Sequence, residues 1–353
     1  MNKNNYNVVG VMSGTSLDGI DVAHVNFTFS EVWSYKIIAA ETIPYSPEWE
    51  KKLSEAVGYN EEQLRQLDTD YTQLLGNVIS EFLSKNDIFD THAVCSHGHT
   101  IKHEPENAYT LQIGNQPELA KILNCKVVCD FRVQDVQLGG QGAPLVPIGD
   151  ELLFGEYDHC LNIGGFANIS TINGGKRLAY DICAVNTVLN VLSQQINLPF
   201  DKDGEVAASG EVLPKLLEEL EKMPFYGLRP PKSLGIEWVQ KHIFPLLKKY
   251  DAIPDLLRTY TEHAAEMIAN EFRDSSEEKV LVTGGGAFNK FLIQEIKKRT
   301  KTQVVIPAPE VVNFKEALIF AFLGVLKLRG ENNVLGSVTG ASKDHSSGNI
   351  FNP

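Results

Sequence analysis

The sequence predicts an α/β protein made of two halves that open alike. Three observations carry this. Strand-like apolar segments alternate with amphipathic helical ones through the second half, the pattern that places helices on a sheet. Each half begins with a strand, a glycine-bearing turn and a second strand, at 6–27 and again at 159–174. The length, 353 residues, suits about two domains of ordinary size.

The elements follow in chain order. Tyr6–Val11 and Ile20–Phe27 are β-branched, aromatic-rich runs that flank "GVMSGTSLDGID" and read as a hairpin. "EVWSYKIIAAETIPY" adds a strand to the same sheet. In "EEQLRQLDTDYTQLLGNVISEFL", Leu64, Leu67, Tyr71, Leu74, Leu75, Val78, Ile79 and Phe82 recur at helical spacing. Ala93–Ser96 is a short strand running into "SHGHT", and "KVVCDF" is another. "LGGQGAPLVPIGDELLF" has Gly and Pro but little periodicity and marks a boundary. The expected lobes are 1–135, rejoined by 331–353, and 136–330. In the second, "HCLNIGGFANISTING" is a hairpin and "KRLAYD" a strand, with a helix starting near Asn186. "VLPKLLEELEKM", "TEHAAEMIANEFRD" and "NKFLIQEIKKRT" are helices, and "EKVLVT" and "TQVVIP" are strands. "KEALIFAFLGVLKLRG" is a buried helix, its apolar stretch Ala317–Leu326 being too short to span a bilayer. "DHSSGN" reads as a polar turn or tail.

Composition narrows the partners. With 45 acidic against 32 basic residues the net charge is −13, which argues against nucleic acid and anionic membranes but leaves room for one basic pocket. Five cysteines without a paired CxxC pattern read as reduced thiols, and the polar start, Met1–Asn7, has no signal-peptide core. Both point to the cytoplasm.

Candidate chemistry lies in a few loops. Gly14, Thr15, Ser16, Leu17, Asp18, Gly19, Ile20 and Asp21 form a turn whose backbone amides and hydroxyls could nest an anion. Its aspartates need a bridging cation there, or serve as turn-formers. Taken alone it is equally a plain hairpin turn. Gly164 and Asn168 offer a second such hairpin, and Gly284, Gly285 and Gly286 stand between a strand and a helix, where amides and the helix dipole meet anions. Two hairpins and one strand–GGG–helix make the parts of an ATP cleft between two lobes. Asp181 is a general base if it faces that cleft, or a cap for the following helix. Arg132 can grip a carboxylate or pair with Asp130 or Asp135. Glu316 either meets a ligand or places charge in a helix's first turn. His97 suits a hydrogen bond to a polar ligand and His99 a solvated loop. A metal site at His97, His99 and His103 would need ligands that nothing else marks.

Taken together, "VMSGTSLDGID", "SHGHT", "TLQIGN", "DFR", "GGQGAPLVP", "LNIGGFANIS", "AASG", "PPKS", "GGGAFN" and "SVTGA" occur in the order seen in anhydro-N-acetylmuramic acid kinases. The resemblance runs from about Val8 to Ala341. It implies the two-lobed actin-like ATPase fold, ribonuclease H-like in each lobe, with ATP in the interlobe cleft and the end of the chain returned to the first lobe. It also implies ATP and magnesium as cofactors, a homodimer, and a reaction in which water opens a 1,6-anhydro sugar while O6 takes the γ-phosphoryl group. Asp181 aligns with the family's base and Gly14–Asp21 with its phosphate-binding stretch. His97, Gln112, Arg132 and Glu316 become candidates for sugar contacts, Arg132 for the lactyl carboxylate. The metal ligands stay open among Asp18, Asp21 and Asp181.

The sequence departs from the family in places. Asp181 is followed by Ile182, Cys183, Ala184 and Val185 instead of a Thr-Gly-Pro turn, and "SHGHT" replaces the usual "SHGQT". Two alternatives therefore stand beside the kinase: an enzyme for a different anhydro-sugar, and a nucleotide-binding regulator with little turnover.

Overall fold

A computed structural model describes residues 4–272 and 275–353. The chain divides into two compact units, Met1–Leu153 with Phe314–Pro353, and Phe154–Asn313.

The first unit is built on a mixed sheet. β1 (Asn5–Ser13), β2 (Ile20–Phe29) and β3 (Trp33–Ile43) form an antiparallel meander. β4 (Ala93–Glu104) lies parallel to β1, β5 (Tyr109–Ile113) folds back on β4, and β6 (Val127–Cys129) runs parallel to β4. β1 is central and its apolar run is buried, whereas β3, at the edge, alternates exposed Lys36 and half-buried Ile37 as a sheet edge should. The helix Glu61–Lys85 begins at an Asn60–Gln63 capping box and buries Leu64, Leu67, Tyr71, Leu75, Val78, Ile79 and Phe82.

The second unit repeats the plan. β7 (His159–Ile163), β8 (Phe166–Asn173) and β9 (Lys176–Ala184) form the meander; β10 (Lys279–Thr283) and β11 (Gln303–Val305) continue the sheet in parallel from β7. The strand orders, β3-β2-β1-β4-β6 and β9-β8-β7-β10-β11, are the same ribonuclease H-like order, so the predicted duplication is a duplication of topology. The helix Ile253–Ala269 supplies much of this unit's core through Leu256, Leu257, Tyr260, Ala264, Ala265 and Ile268. It starts before the predicted 261 and ends at Ala269. Arg273 and Asp274, predicted at its end, lie outside the described residues.

The chain then returns to the first sheet, where β12 (Asn349–Phe351) pairs antiparallel with β6. "DHSSGN" is polar but not a free tail: His345 and Ser347 are buried and Asn349 opens β12. Ser347 is fully buried: its amide donates to Asn333 Oδ1 at 2.7 Å and its hydroxyl to the Phe131 carbonyl at 2.6 Å. Ser347 is buried at little cost because both its amide and its hydroxyl find partners.

The expected second lobe, 136–330, is too long at both ends. The helix Pro309–Arg329 departs from helical geometry at Phe314, where the units divide, and its remainder lies directly on the first sheet. A Cβ on Gly10 of β1 would stand 1.9 Å from the Ala317 carbonyl oxygen, and one on Gly324 would stand 2.2 Å from Cys95 Sγ of β4. The short helix Pro147–Leu153 follows it into the first unit through a buried Asp150–Lys315 ion pair at 2.7 Å. Cys95, Cys129, Cys160 and Cys183 are buried, all five cysteines are free thiols, and burial pushes the thiols of Cys95, Cys129 and Cys183 up. No described helix is long and apolar enough to cross a membrane.

The backbone contact at Gly10 predicts that Gly10→Val destabilises the protein by about 3 kcal/mol or more, since neither strand nor helix can yield to a side chain. Urea unfolding of the variant beside the parent reads this directly.

Candidate active site

In the first unit the turn Gly14–Gly19 links β1 to β2. Gly19, at φ 152, has no room for a Cβ, which would lie 2.4 Å from the Ile43 carbonyl oxygen. Leu17 takes a positive φ of 62 and its amide donates to Gly14 O at 3.3 Å. Among the described residues no backbone carbonyl accepts from Thr15, Ser16 or Asp18, and all three are exposed. The turn is thus pinned at its base and open at its tip. Asp21 is half-buried, accepts from the Thr42 hydroxyl at 2.6 Å, and is raised above the usual carboxylate range by burial.

Beneath the turn is a buried polar chain. Ser13 Oγ hydrogen-bonds His99 Nδ1 and the Tyr45 hydroxyl, each at 2.7 Å, and Tyr45 bonds the Tyr71 hydroxyl at 2.5 Å. His99 is therefore not on a solvated loop: β4 extends through it, it is 2% exposed, and burial pushes its ring down to about 4.

His97, two residues back on β4, is buried too, and both ring nitrogens are engaged. Arg132 Nε donates to His97 Nε2 at 2.8 Å, so Nε2 carries no proton and Nδ1–H faces the Gly98 carbonyl at 2.9 Å. His97 orients Arg132 and has no nitrogen left for a ligand. Arg132 Nη1 donates to Gly142 O at 2.6 Å, while Nη2 donates to no described residue. Burial lowers its guanidinium to about 10, with Glu316 and Asp135 pulling the other way. Glu316 keeps access to solvent, yet the protein packed around it raises its carboxyl; Arg132 opposes the shift and Asp21 reinforces it. Asp21, Arg132 and Glu316 are one electrostatic group. Gln112, on β5, is 7% exposed; its Nε2 donates to Thr110 at 2.8 Å and its Oε1 meets no partner among the described residues.

In the second unit strand register does the assembling. Thr283 of β10, Asn162 of β7, Asn168 of β8 and Asp181 of β9 are successive neighbours across four strands, and so share one face of the sheet. Asp181 lies inside β9, not at its end, and does not cap the helix Asn186–Gln194. Carbonyls of the β7–β8 turn do so instead: Gly165 O accepts from Val185 at 2.8 Å and Thr187 at 3.2 Å. Gly164 spends its amide on Phe166 O, at 3.1 Å, so that amide is not free for a phosphate. Asp181 Oδ2 accepts from the Leu234 amide at 2.8 Å and the Ser233 hydroxyl at 3.1 Å. Burial raises this carboxyl, and those two bonds restrain the rise.

The three glycines divide their work. Gly284, at φ 81, and Gly286 are pressed against β7, where added Cβ atoms would meet Asn162 Oδ1 at 2.5 Å and Ile163 Cγ2 at 2.2 Å. Only Gly285 faces open space. The segment does not lead straight into a helix as predicted. A 3₁₀ turn, Gly285–Phe288, intervenes, and the Asn289 side chain caps the helix Lys290–Arg299 by accepting from Leu292 at 3.0 Å. Among the described residues no three His, Cys, Asp or Glu side chains are grouped to hold a metal.

With this geometry in view, a family model for anhydro-N-acetylmuramic acid kinase matches residues 6–353. The chain belongs to that family. Relatives with that name include one from Sulfurimonas denitrificans, 32% identical over 97% of this chain and 98% of its own. Another, from Sulfurovum sp., is 34% identical over 99% of this chain and all of its own, and one from Pseudomonas syringae pv. tomato is 34% identical over 97% and 98%.

The "DICAVN" segment continues as strand through Ala184, and the Asp181 amide donates to Lys232 O at 3.0 Å. His99 of "SHGHT" fills a buried, hydrogen-bonded site. Ser13, Tyr45, Asn162, Ser233 and Thr283 were not singled out as site residues from the sequence. Ser233 had a signal, since it ends the "PPKS" segment.

A ring whose folded pKa lies below its unfolded value supplies stability above about pH 6.5 that is lost as pH falls toward the folded value. His99, His97 and His263 all behave this way, the last pushed down to about 3. Asp130, raised to about 6 by burial, works in the opposite sense, as do Asp21, Asp181 and Glu316. The part due to His99 is read as a difference: between pH 7 and pH 4.5, His99→Gln should lose less melting temperature than the parent in a calorimetric pH series.

Proposed function

We propose that this chain is an ATP-dependent kinase that opens 1,6-anhydro-N-acetylmuramic acid with water and phosphorylates O6, giving N-acetylmuramic acid 6-phosphate in peptidoglycan recycling. The observation that carries this reading is the family match, which spans all but the first five residues. The site residues agree with it.

The chemistry sets the roles. In the anhydro sugar O6 is bound in an ether and has no proton to lose. Asp181 takes a proton from water as its oxygen bonds to the anomeric carbon. The bond from that carbon to O6 breaks, O6 attacks the γ-phosphorus, and ADP leaves. The open tip of Gly14–Asp21 and exposed Gly285 are the phosphate-binding elements. Asp18 and Asp21 would hold magnesium at that turn, since Mg²⁺ usually takes one or two carboxylates beside phosphate oxygens. Bound there, it would supply positive charge against the charge developing in phosphoryl transfer. Arg132 holds the lactyl carboxylate through Nη2, and Gln112 and Glu316 take hydroxyl or amide groups. His97 acts on the sugar only through Arg132. The same reading makes the protein cytoplasmic, where ATP is supplied, and a homodimer, as the family resemblance implies.

The test is product analysis after reaction with ATP, magnesium and the anhydro sugar in ¹⁸O-water. Label at the anomeric hydroxyl and phosphate on O6 are expected; unlabelled product or another favoured anhydro sugar would overturn the reading. Asp181→Asn should lower kcat by roughly 10³-fold while ATP binding, followed by calorimetry, is kept. Arg132→Met should raise KM for this sugar far more than for its analogue lacking the lactyl group; equal losses would reject the carboxylate contact.

A further inference from the structure

Asp181 has two carboxylate oxygens in unlike surroundings. Oδ2 accepts from both the Leu234 amide and the Ser233 hydroxyl. Oδ1 accepts from no described residue. The donors belong to one segment, held beside β9 by a third bond, from the Asp181 amide to the Lys232 carbonyl at 3.0 Å. That segment is anchored in turn. The Lys232 ammonium is buried against Glu271 at 3.6 Å, and Glu271 accepts from the Tyr180 hydroxyl at 2.7 Å, next to Asp181 on β9. Leu234 is buried at its other end.

We propose that Ser233 is a positioning residue for the base: together with the Leu234 amide it fixes Oδ2, turning Oδ1 outward as the atom that receives the proton from water. This rests on the reading of Asp181 as that base. The restraint comes from residues 232–234, about fifty positions downstream.

The alternatives a carboxylate has are to rotate about its Cα–Cβ bond or to turn its face. A hydroxyl and an amide on the same oxygen oppose both, because either motion strands two donors. Near Asp181 the other titratable groups are Lys232 on the same segment, Glu271, and Cys183 and Tyr180 on β9. Lys232 and Glu271 pair with each other and the Cys183 thiol is pushed up by burial, so Ser233 is the side chain able to adjust the base.

The experiment compares the parent with Ser233→Ala, Ser233→Thr and Asp181→Asn, after thermal melts confirm that each folds. Turnover with ATP, magnesium and the anhydro sugar is measured across pH, and the Asp181 carboxyl is titrated by ¹³C NMR. Asp181→Asn identifies its resonance. Ser233→Ala should lower kcat at neutral pH about tenfold, leave both KM values within about twofold, and move the acidic limb of kcat and the NMR midpoint to higher pH together. Ser233→Thr should restore both. A Ser233→Ala enzyme with unchanged kcat and midpoint, while Asp181→Asn is inactive, overturns the role of Ser233 alone. An active Asp181→Asn enzyme overturns the base and this inference with it. If turnover is absent from every protein, an unmoved NMR midpoint in Ser233→Ala still rejects the contact.

Discussion

One extra residue in β9 governs the second unit's chemistry. Asp181 pairs with Asn168, but Ala167 pairs with Cys183, so Ile182 stands opposite nothing. Because side chains alternate along a strand, such a bulge changes which residues share a face. Without it, Ile182 would oppose Asn168 and an apolar side chain would occupy the polar row. With it, Ile182, Cys183 and Ala184 all enter the core, and Asp181 remains beside Asn168. The bulge also ends β9 where Gly165 O can receive the first amides of the next helix. The side of the sheet on which Asp181 stands thus follows from a single irregularity.

The two units share a topology and use it differently. In the first, β1 and β2 are joined by a long turn, Gly14–Gly19, with uncommitted amides and exposed hydroxyls. In the second, Gly164 and Gly165 alone join β7 to β8; the Gly164 amide and both carbonyls are spent on neighbouring backbone, and the Gly165 amide donates to no described residue. A short turn so largely committed holds a helix and has less left for a ligand. The side chains of Asn162, Asn168, Asp181 and Thr283 stand on the sheet face instead, where strand pairing sets their spacing.

Much of this was legible in the sequence. Periodicity over 61–83 identified a helix because its apolar residues meet one core, and the hairpins were visible because glycine and β-branched runs constrain the backbone locally. What the sequence hid depends on distant partners. His99 looked like a loop residue because Ser13 and Tyr45, which make it a buried one, lie far back in the chain. The unit boundaries differ from those expected because the contacts that bear on them, Gly10 with Ala317 and Asp150 with Lys315, join residues far apart in the chain. "DHSSGN" read as a polar turn or tail because nothing local reveals that Asn333 and Phe131 satisfy Ser347. Its composition was read correctly, but its partners could not be.

Arg132 shows what such distant partners accomplish. Its hydrogen bonds go to a neutral imidazole and a carbonyl, neither of which cancels its charge. Asp135, three residues on, is buried and committed to the Gly142 amide at 2.7 Å and the Thr339 hydroxyl at 2.7 Å. Glu316 acts on the guanidinium without a bond to it, and its own carboxyl is raised, which weakens it as a counter-charge. At about 10 the guanidinium still holds its proton at neutral pH, so a cation remains with one nitrogen unused and its charge incompletely balanced. A charge so incompletely balanced is costly, and an anion at Nη2 would offset that cost. The lactyl-carboxylate contact proposed for Arg132 would draw its strength from the counter-charge that the surrounding protein does not supply.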